Sequence, residues 1–254
     1  DVYKRQSTFL VLCQDMARDV GIPGTGPSTT TTTNLSEEET SVVRYINQAD
    51  QDIQSRWFDW NFLWSEADIT AISGTSTLSS SNTGFPGTST IGPLGHWKLD
   101  SIVWDKTSES YQILEYQEWN SYREMYKYGS IDSDVPEVFS VKPNGNLDLY
   151  PTPNAATTVS AEYWRTPVVM STILDGETTA DSNTSAIPSR FHKIIIARAK
   201  MYYAENEDAP EIMSGSVAEF EDLLNSLEAD QLVRQQNRKF SSAQNMYNFV
   251  VRPE

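Results

Sequence analysis

The sequence has little cysteine and histidine and no long apolar run. Its 254 residues include one cysteine, Cys13, and two histidines, His96 and His192. A single cysteine excludes an intramolecular disulfide framework and a cysteine-based zinc site. No apolar stretch approaches the ~20 residues that a membrane-spanning helix requires. We therefore expect no metal, no cofactor and no membrane partner.

Positive charge is scarce as well. The chain has 19 lysines and arginines against 35 aspartates and glutamates, which gives a net charge of −16. A chain of this sign repels the phosphate backbone of nucleic acid, so we expect DNA to pass it without sequence-specific binding. The hydrophobic fraction of 38% is that of an ordinary globular protein, which predicts a core of its own.

Familiar catalytic motifs are missing. The chain has no glycine-rich phosphate loop, no dinucleotide-binding fingerprint, no zinc-peptidase motif and no nucleophile elbow. His192 lies near the start of a predicted helix, where we interpret it as a surface histidine, and His96 closes a Ser/Thr-rich loop. The acidic runs at 132–134, 205–211 and 219–222 indicate solvated faces. No catalytic residue is predicted, and the chain is not expected to be an enzyme.

Helical spacing of apolar residues marks both ends of the chain. It predicts a first helix over 9–20 and, after a possible capping box at 36–39, a second whose buried stripe runs from Val42 to Trp57. Pro188 and Pro210 are well placed to open two further helices, because proline is tolerated in the first helical turn.

The middle of the chain has the pattern of β-strands. A strand is predicted after Trp60, and a hairpin is predicted from the runs 98–104 and 111–116. A second hairpin is predicted around Asn144-Gly145, the pair that favours a tight turn, and another strand over 157–164. A short helix is expected around 119–126. The Ser/Thr-rich stretch 73–95 is predicted to be a long surface loop of unknown role.

These patterns predict an α+β fold. We expect a helical bundle formed by residues 7–60 and 187–237, with an antiparallel β-rich module at 61–186 inserted between them. Residues 1–6 resemble a translated sequencing adapter and are left out of the fold prediction.

The last 17 residues, 238–254, are predicted to form an extended C-terminal arm. They are rich in large apolar residues without helical period, and the end of the chain is locally basic. Such a composition is unusual for a tail that stays in solvent and binds nothing. We therefore expect the arm to bind a partner, and its contact residues are predicted to be Phe240, Tyr247, Phe249 and Arg252.

Two blocks of sequence carry a family resemblance. The first has Pro-Glu-Val-Phe at 136–139, Leu-Asp-Leu-Tyr-Pro-Thr-Pro at 147–153 and Ala-Glu-Tyr-Trp-Arg at 161–165. The second has Ile-Pro-Ser-Arg-Phe-His at 187–192 and Ala-Arg-Ala at 197–199. In order and spacing, and with two N-terminal helices that also match, the chain resembles the head-to-tail adaptor, or connector, proteins of short-tailed phages.

The resemblance implies a structural protein of the virion neck, assembled in the host cytoplasm. It implies a homo-oligomeric ring of twelve subunits that binds the portal protein on one side and the tail nozzle or tail tube protein on the other. The genome DNA would pass through the channel of this ring. No enzyme activity is implied.

An alternative function rests on Trp57, Trp60 and Trp64. Tryptophans line glycan grooves, and paired carboxylates cleave sugars, so a glycan-binding or glycan-cleaving virion module that uses the Trp-rich acidic β-region is the second hypothesis. The spacing of the three tryptophans favours core packing instead.

Overall fold

The computed structural model describes residues 7–22, 37–87, 93–105, 111–128, 132–171 and 180–232. Within them the fold is α+β, with five α-helices and mostly antiparallel sheets, which confirms the predicted class. The predicted arm 238–254, with Phe240, Tyr247, Phe249 and Arg252, lies outside the described residues. So do residues 1–6.

The helices lie at the two ends of the described chain, except for one short helix in the middle. They are α1 (Phe9–Asp19), α2 (Glu37–Ser55), α3 (Trp119–Tyr122), α4 (Lys193–Asn206) and α5 (Pro210–Gln231). A π-helical turn, Arg123–Lys127, continues α3, and a 3-10 turn, Ser189–Phe191, precedes α4. The four long helices were all predicted, and Pro210 opens α5 as expected. Pro188 was predicted to open α4 as well, but it precedes the 3-10 turn, and α4 begins at Lys193.

The strands are short apart from β1 and β11. They are β1 (Trp64–Ala71), β2 (Thr77–Leu78), β3 (Leu94–Trp97), β4 (Val103–Trp104), β5 (Gln112–Ile113), β6 (Glu115–Tyr116), β7 (Ser133–Asp134), β8 (Val138–Val141), β9 (Leu147–Tyr150), β10 (Thr152–Pro153) and β11 (Thr157–Arg165). One sheet has the order β1-β11-β4-β5, with β3 also paired to β11, and a second has the order β2-β9-β8-β6. The pairs β6–β8 and β7–β10 are parallel.

The chain divides into two compact units. The helical unit holds the described residues up to Asp50, the segment Trp60–Phe62 and residues 180–232. The β-rich unit holds residues 51–59 and the described residues from Leu63 to 171.

The helical unit is organised around α4, whose residues Ile194–Ala197 are all buried. Four consecutive residues point to most sides of a helix, so their burial requires neighbours around it. α5 and α1 pack on α4, and Tyr45 of α2 stacks on Tyr202 of α4 with ring centroids 6.4 Å apart. Lys200 of α4 also reaches both neighbours, through Asp19 at 3.4 Å and Glu219 at 3.2 Å.

The buried stripe of α2 ends earlier than its spacing suggests. Val42, Ile46, Ala49 and Ile53 are buried, as predicted. Trp57 was expected to continue the stripe, but α2 ends at Ser55 and Trp57 is 45% exposed. The helical period cannot place a side chain that lies beyond the last helical turn.

The β-rich unit is built on the antiparallel pair β1–β11. Their register aligns Trp64 with Trp164 and Ile69 with Val159, and β11 also pairs with β3 and β4. Their inward-facing side chains pack with those of the β8–β9 hairpin in one apolar core. The predicted β4–β5 and β8–β9 hairpins are both confirmed.

The turn of the β8–β9 hairpin uses the predicted Asn-Gly pair. Gly145 has a φ of 83°, a left-handed conformation that glycine adopts without strain. Its carbonyl oxygen accepts a hydrogen bond from the indole nitrogen of Trp97 at 2.8 Å. The turn is therefore tied to the core as well as to its own strands.

The described residues of the stretch 73–95, which are 73–87 and 93–95, form more than the long surface loop that composition predicted. They contain β2 and the start of β3, and they bury Leu78 and Phe85. They also lie along the edge of β1, where the side chain of Asn82 donates to the carbonyl oxygen of Thr70 at 2.9 Å. Gly84 packs so closely there that a Cβ would lie 1.9 Å from the carbonyl oxygen of Asp68. Amino-acid composition alone cannot predict such close packing.

Candidate binding surface of the β-rich unit

An exposed aromatic surface lies on the β-rich unit. We use this name for five residues: Trp57, Phe58, Trp64, His96 and Trp164. Trp57, Phe58 and Trp64 are 45%, 61% and 44% exposed. Contiguous exposed apolar side chains of this size mark interaction sites on proteins more often than single exposed ones do.

Strand alternation places three of the five residues on this surface. In β1, Ala67, Ile69 and Ala71 face the core, so Trp64 faces the other side of the sheet. The register then aligns Trp64 with Trp164 of β11, and Trp164 with His96 of β3. One row of aromatic side chains therefore crosses three neighbouring strands.

The other two residues come from the segment that follows α2. The ring of Phe58 lies 5.3 Å from the ring of His96 and 6.2 Å from that of Trp164, in both cases edge to face. This is a favoured geometry for aromatic pairs. Trp57 and Phe58 also line a pocket of about 240 Å³ together with His96, Arg165 and Pro167.

Charged side chains flank the aromatic surface. Glu162 accepts hydrogen bonds from the indole nitrogen of Trp64 at 3.0 Å and from Nζ of Lys98 at 2.7 Å. The bond to Glu162 raises the pKa of Lys98. Glu66 lies opposite Glu162 across the β1–β11 pair, and the exposed Asp68 accepts from the hydroxyl of Ser160 at 2.6 Å. The surface therefore combines apolar rings with a carboxylate-rich border.

A second charged cluster lies inside the same unit, around the fully buried Asp148. Its carboxylate accepts hydrogen bonds from Nζ of Lys127 at 2.6 Å and from the hydroxyl of Thr77 at 2.6 Å. It also forms an ion pair with Nζ of Lys142 at 3.2 Å. Burial alone would raise the pKa of Asp148, but these hydrogen bonds and charges outweigh it and hold the pKa below its usual value. We interpret the cluster as structural, since it joins β2, β9, the turn after β8 and the π-helical turn.

Trp57, Trp60 and Trp64, for which glycan binding and core packing were the two interpretations, differ in burial. Trp60 is fully buried, as core packing predicts. The same prediction is wrong for Trp57 and Trp64, which belong to the aromatic surface. Trp60 belongs to the helical unit, whereas the other two lie in the β-rich unit.

The histidines also depart from the interpretation of the sequence. His192 is only 3% exposed, so the prediction of a surface histidine is wrong. Its Nε2 donates to the carbonyl oxygen of Ile187 at 2.9 Å, and burial lowers its pKa in spite of that bond. The fold encloses the first turn of α4, which sequence position alone does not show. His96 is exposed and belongs to the aromatic surface.

Other sequence-based expectations concern metals, membranes and the acidic runs. The described part of the chain holds no group of three or more side chains that could bind a metal. None of its helices is both long and apolar enough to cross a membrane. The acidic residues at 132–134 and 205–211 are exposed, as expected of solvated faces. In the run 219–222 the prediction fails for Glu219, which is half-buried and pairs with Lys200.

The aromatic surface as a whole was not predicted. One signal for it was present, because the alternation of Ala67, Ile69 and Ala71 already places Trp64 on the opposite face of its strand. The contribution of Phe58 and Trp164 had no local signal, since it depends on contacts between segments far apart in sequence.

Comparison with known proteins identifies one family. A family model described as SU10 adaptor protein matches residues 7–247 of the chain. No curated protein matches the chain.

Proposed function

Since the chain belongs to the SU10 adaptor protein family, a family of phage structural proteins, we propose that it joins the portal to the tail in the neck of the virion. The observation that carries this proposal is the family match, which extends over residues 7–247. In the proposed arrangement twelve copies form a ring, with the portal protein on one side and the tail nozzle or tail tube protein on the other.

Several features of the chain support such a role. A ring subunit needs a stable body and exposed surfaces that bind neighbours. The helical unit buries its apolar side chains around α4, and the β-rich unit exposes the aromatic surface. We propose that the helices of the first unit form a bundle that acts as the body, and that the β-rich unit supplies contacts.

The charge of the chain supports passage of the genome through the proposed ring. At −16 per subunit, the ring would repel the phosphate backbone and so disfavour adhesion of DNA to the channel wall. We propose that DNA passes without sequence-specific binding and that the protein catalyses no reaction.

The direct test is assembly on the portal of the same phage. Purified protein is mixed with purified portal, and the complexes are examined by electron microscopy and native mass measurement. We expect a ring of twelve subunits stacked on one face of the portal. A mixture in which the two proteins remain separate under all buffer conditions would overturn the proposal.

A second candidate function remains a glycan-binding or glycan-cleaving virion module. The observation that favours it is the exposed Trp64, whose indole nitrogen donates to Glu162 opposite Glu66, because a sugar ring can stack on an aromatic face beside carboxylates. Binding of the purified chain to immobilised saccharides tests it. Saccharide binding that is lost in Trp64→Ala would support this candidate. If the chain binds none of the saccharides, this candidate is overturned and the adaptor proposal stands.

A further inference from the structure

The last 22 residues differ in charge from the rest of the chain. Residues 233–254 contain four of the 19 basic residues, Arg234, Arg238, Lys239 and Arg252, but one of the 35 acidic residues. They also contain three large aromatic residues, Phe240, Tyr247 and Phe249. The segment therefore offers rings and positive charges in a protein that is otherwise strongly acidic.

The aromatic surface is complementary to this composition. It presents exposed rings and a pocket of about 240 Å³ between Trp57, Phe58 and His96. Its border carries three carboxylates, Glu66, Asp68 and Glu162, against two cations: Lys98, which pairs with Glu162, and Arg165, which lines the pocket. Aromatic side chains of a binding segment can pack against the exposed rings, and its arginines and lysines are attracted to both the carboxylates and the ring faces.

We infer that residues 233–254 of one subunit dock on the aromatic surface of a neighbouring copy. The inference rests on the proposed adaptor function, because it supplies the contact that links one subunit of the ring to the next. A segment of one copy that binds a different surface of the next makes a heterologous contact, and such contacts form a ring when the rotation between neighbouring copies closes. At roughly 3.3–3.6 Å per residue, 22 residues can span at most about 75 Å, which is compatible with contact to a neighbouring copy.

The test is a cysteine cross-link between full-length chains. The native Cys13 is buried, and burial raises its pKa, so it does not compete with introduced thiols. Ser55 is exposed and lines the pocket of the aromatic surface. Ser55→Cys on one chain and Ser242→Cys on another leave every aromatic and charged residue of both partners unchanged.

The two variants are mixed, oxidised and analysed on a non-reducing gel. We expect a disulfide-linked pair of one copy of each variant. The matched control replaces Ser55→Cys with Ser121→Cys, an exposed serine of α3 that is not part of the aromatic surface. The Ser55→Cys mixture is expected to cross-link at least about tenfold more than the control, which corresponds to about 1.4 kcal/mol of preferential binding.

Two results would overturn the inference. One is an equal or absent cross-link in the two mixtures at every protein concentration. The other is a cross-link that forms only when Ser55→Cys and Ser242→Cys are placed in one chain, which would show that the segment binds its own subunit. Adding Phe58→Ala to the Ser55→Cys chain is expected to lower the yield, because it removes part of the binding surface without removing the thiol.

Assembly on the portal separates this inference from the proposed function. A chain ending at residue 232 that still forms rings on the portal would overturn the proposed contact of residues 233–254 with the neighbouring copy. It would leave the adaptor function intact. A cross-link from Ser242→Cys to the portal in place of the neighbouring subunit would do the same. Failure of the full-length chain to bind the portal would instead contradict the adaptor function itself.

Discussion

The two units place their large apolar side chains in opposite ways. Among the described residues of the helical unit, one large apolar residue is exposed, Val11. The described part of the β-rich unit exposes twelve: Trp57, Phe58, Trp64, Ile72, Leu99, Tyr111, Ile113, Tyr116, Met125, Tyr128, Val135 and Val168. The described part of the helical unit therefore covers most of its large apolar side chains, and the exposed ones of the β-rich unit agree with the proposal that this unit supplies contacts.

Geometry explains much of this contrast. A central helix such as α4 can be covered on all sides by neighbouring helices, and its residues Ile194–Ala197 are all buried. A sheet has two faces and two edges, and the core on one face of β1 and β11 leaves their other face free to carry Trp64 and Trp164. If the contrast has this meaning, substitutions in the two units should have different consequences.

The largest effect is expected in the core of the helical unit. Ile195→Ala removes a fully buried side chain from α4, and the lost contacts and the cavity should lower the free energy of unfolding by about 4 kcal/mol. The measurement is urea unfolding followed by far-ultraviolet circular dichroism. The control is Val11→Ala at an exposed site in α1, which should change the free energy of unfolding by less than about 0.5 kcal/mol. Equal effects at the two sites would show that α4 does not form the core of the helical unit.

The next effect concerns the buried charge of the β-rich unit. Asp148→Asn removes the charge that Lys127 and Lys142 contact, and it should lower the free energy of unfolding by about 3 kcal/mol, because charged groups lose their buried partner. Tryptophan fluorescence reports on this unit, since Trp60 is the one tryptophan outside it.

The control for Asp148 is a carboxylate of the same unit in a partly exposed ion pair. Glu162→Gln breaks the pair with Lys98, and such pairs contribute at most about 1 kcal/mol. If the two substitutions cost the same, the Asp148 cluster is not the structural centre that its burial indicates.

Acid should affect the helical unit before the β-rich unit. Burial lowers the pKa of His192 from its usual 6.5, so the unfolded chain binds this proton more readily than the folded chain. Stability should therefore fall as the pH drops below about 6.5, by at most about 1.4 kcal/mol per pH unit. The pKa of Asp148 is lowered from 3.8, and the stability linked to it should be lost only as the pH falls below about 4.

The measurement is urea unfolding at a series of pH values, with circular dichroism for the helices and tryptophan fluorescence for the β-rich unit. His192→Gln has no proton to gain and should flatten the helical curve between about pH 6.5 and about pH 5. A helical unit whose stability is constant over that range in the unaltered chain would show that His192 does not titrate as its burial predicts.

The smallest effect on stability is expected at the aromatic surface. Phe58→Ala removes a side chain that is 61% exposed, so the free energy of unfolding should change by less than about 1 kcal/mol. Sedimentation velocity should nevertheless show weaker self-association at equal protein concentration. A loss of stability as large as that of Ile195→Ala would mean that Phe58 is structural and that the β-rich unit is not the binding part.

Much of the secondary structure was predictable because its signals are local. Pro210 begins α5 where proline is tolerated, and Asn144-Gly145 forms the turn of the β8–β9 hairpin where a left-handed residue is needed. The alternation within β1 and the helical spacing of α1 also match the structure. Each of these features depends on residues within a few positions of one another.

The candidate site was less predictable, for a physical reason. The exposure of His192 was predicted from its position at the start of α4, and the burial of Trp57 from its position at the end of α2. Both predictions are wrong, because burial depends on what packs against each helix end. The indole of Trp64 meets Glu162 across 98 residues of sequence, and the ring of Phe58 meets that of Trp164. No window of the sequence contains both members of either pair.

The sequence by itself therefore determined the local elements, the α+β class and the acidic character of the chain. These properties follow from backbone preferences, the period of apolar residues and a sum of charges, none of which requires a partner segment. Only the tertiary structure decided which tryptophans are exposed, that His192 is enclosed and that Asp148 lies between two lysines. These outcomes depend on β11 pairing with β1, β3 and β4 and on α4 being covered by its neighbours, since exposure and electrostatic environment are set by the segments that folding brings together.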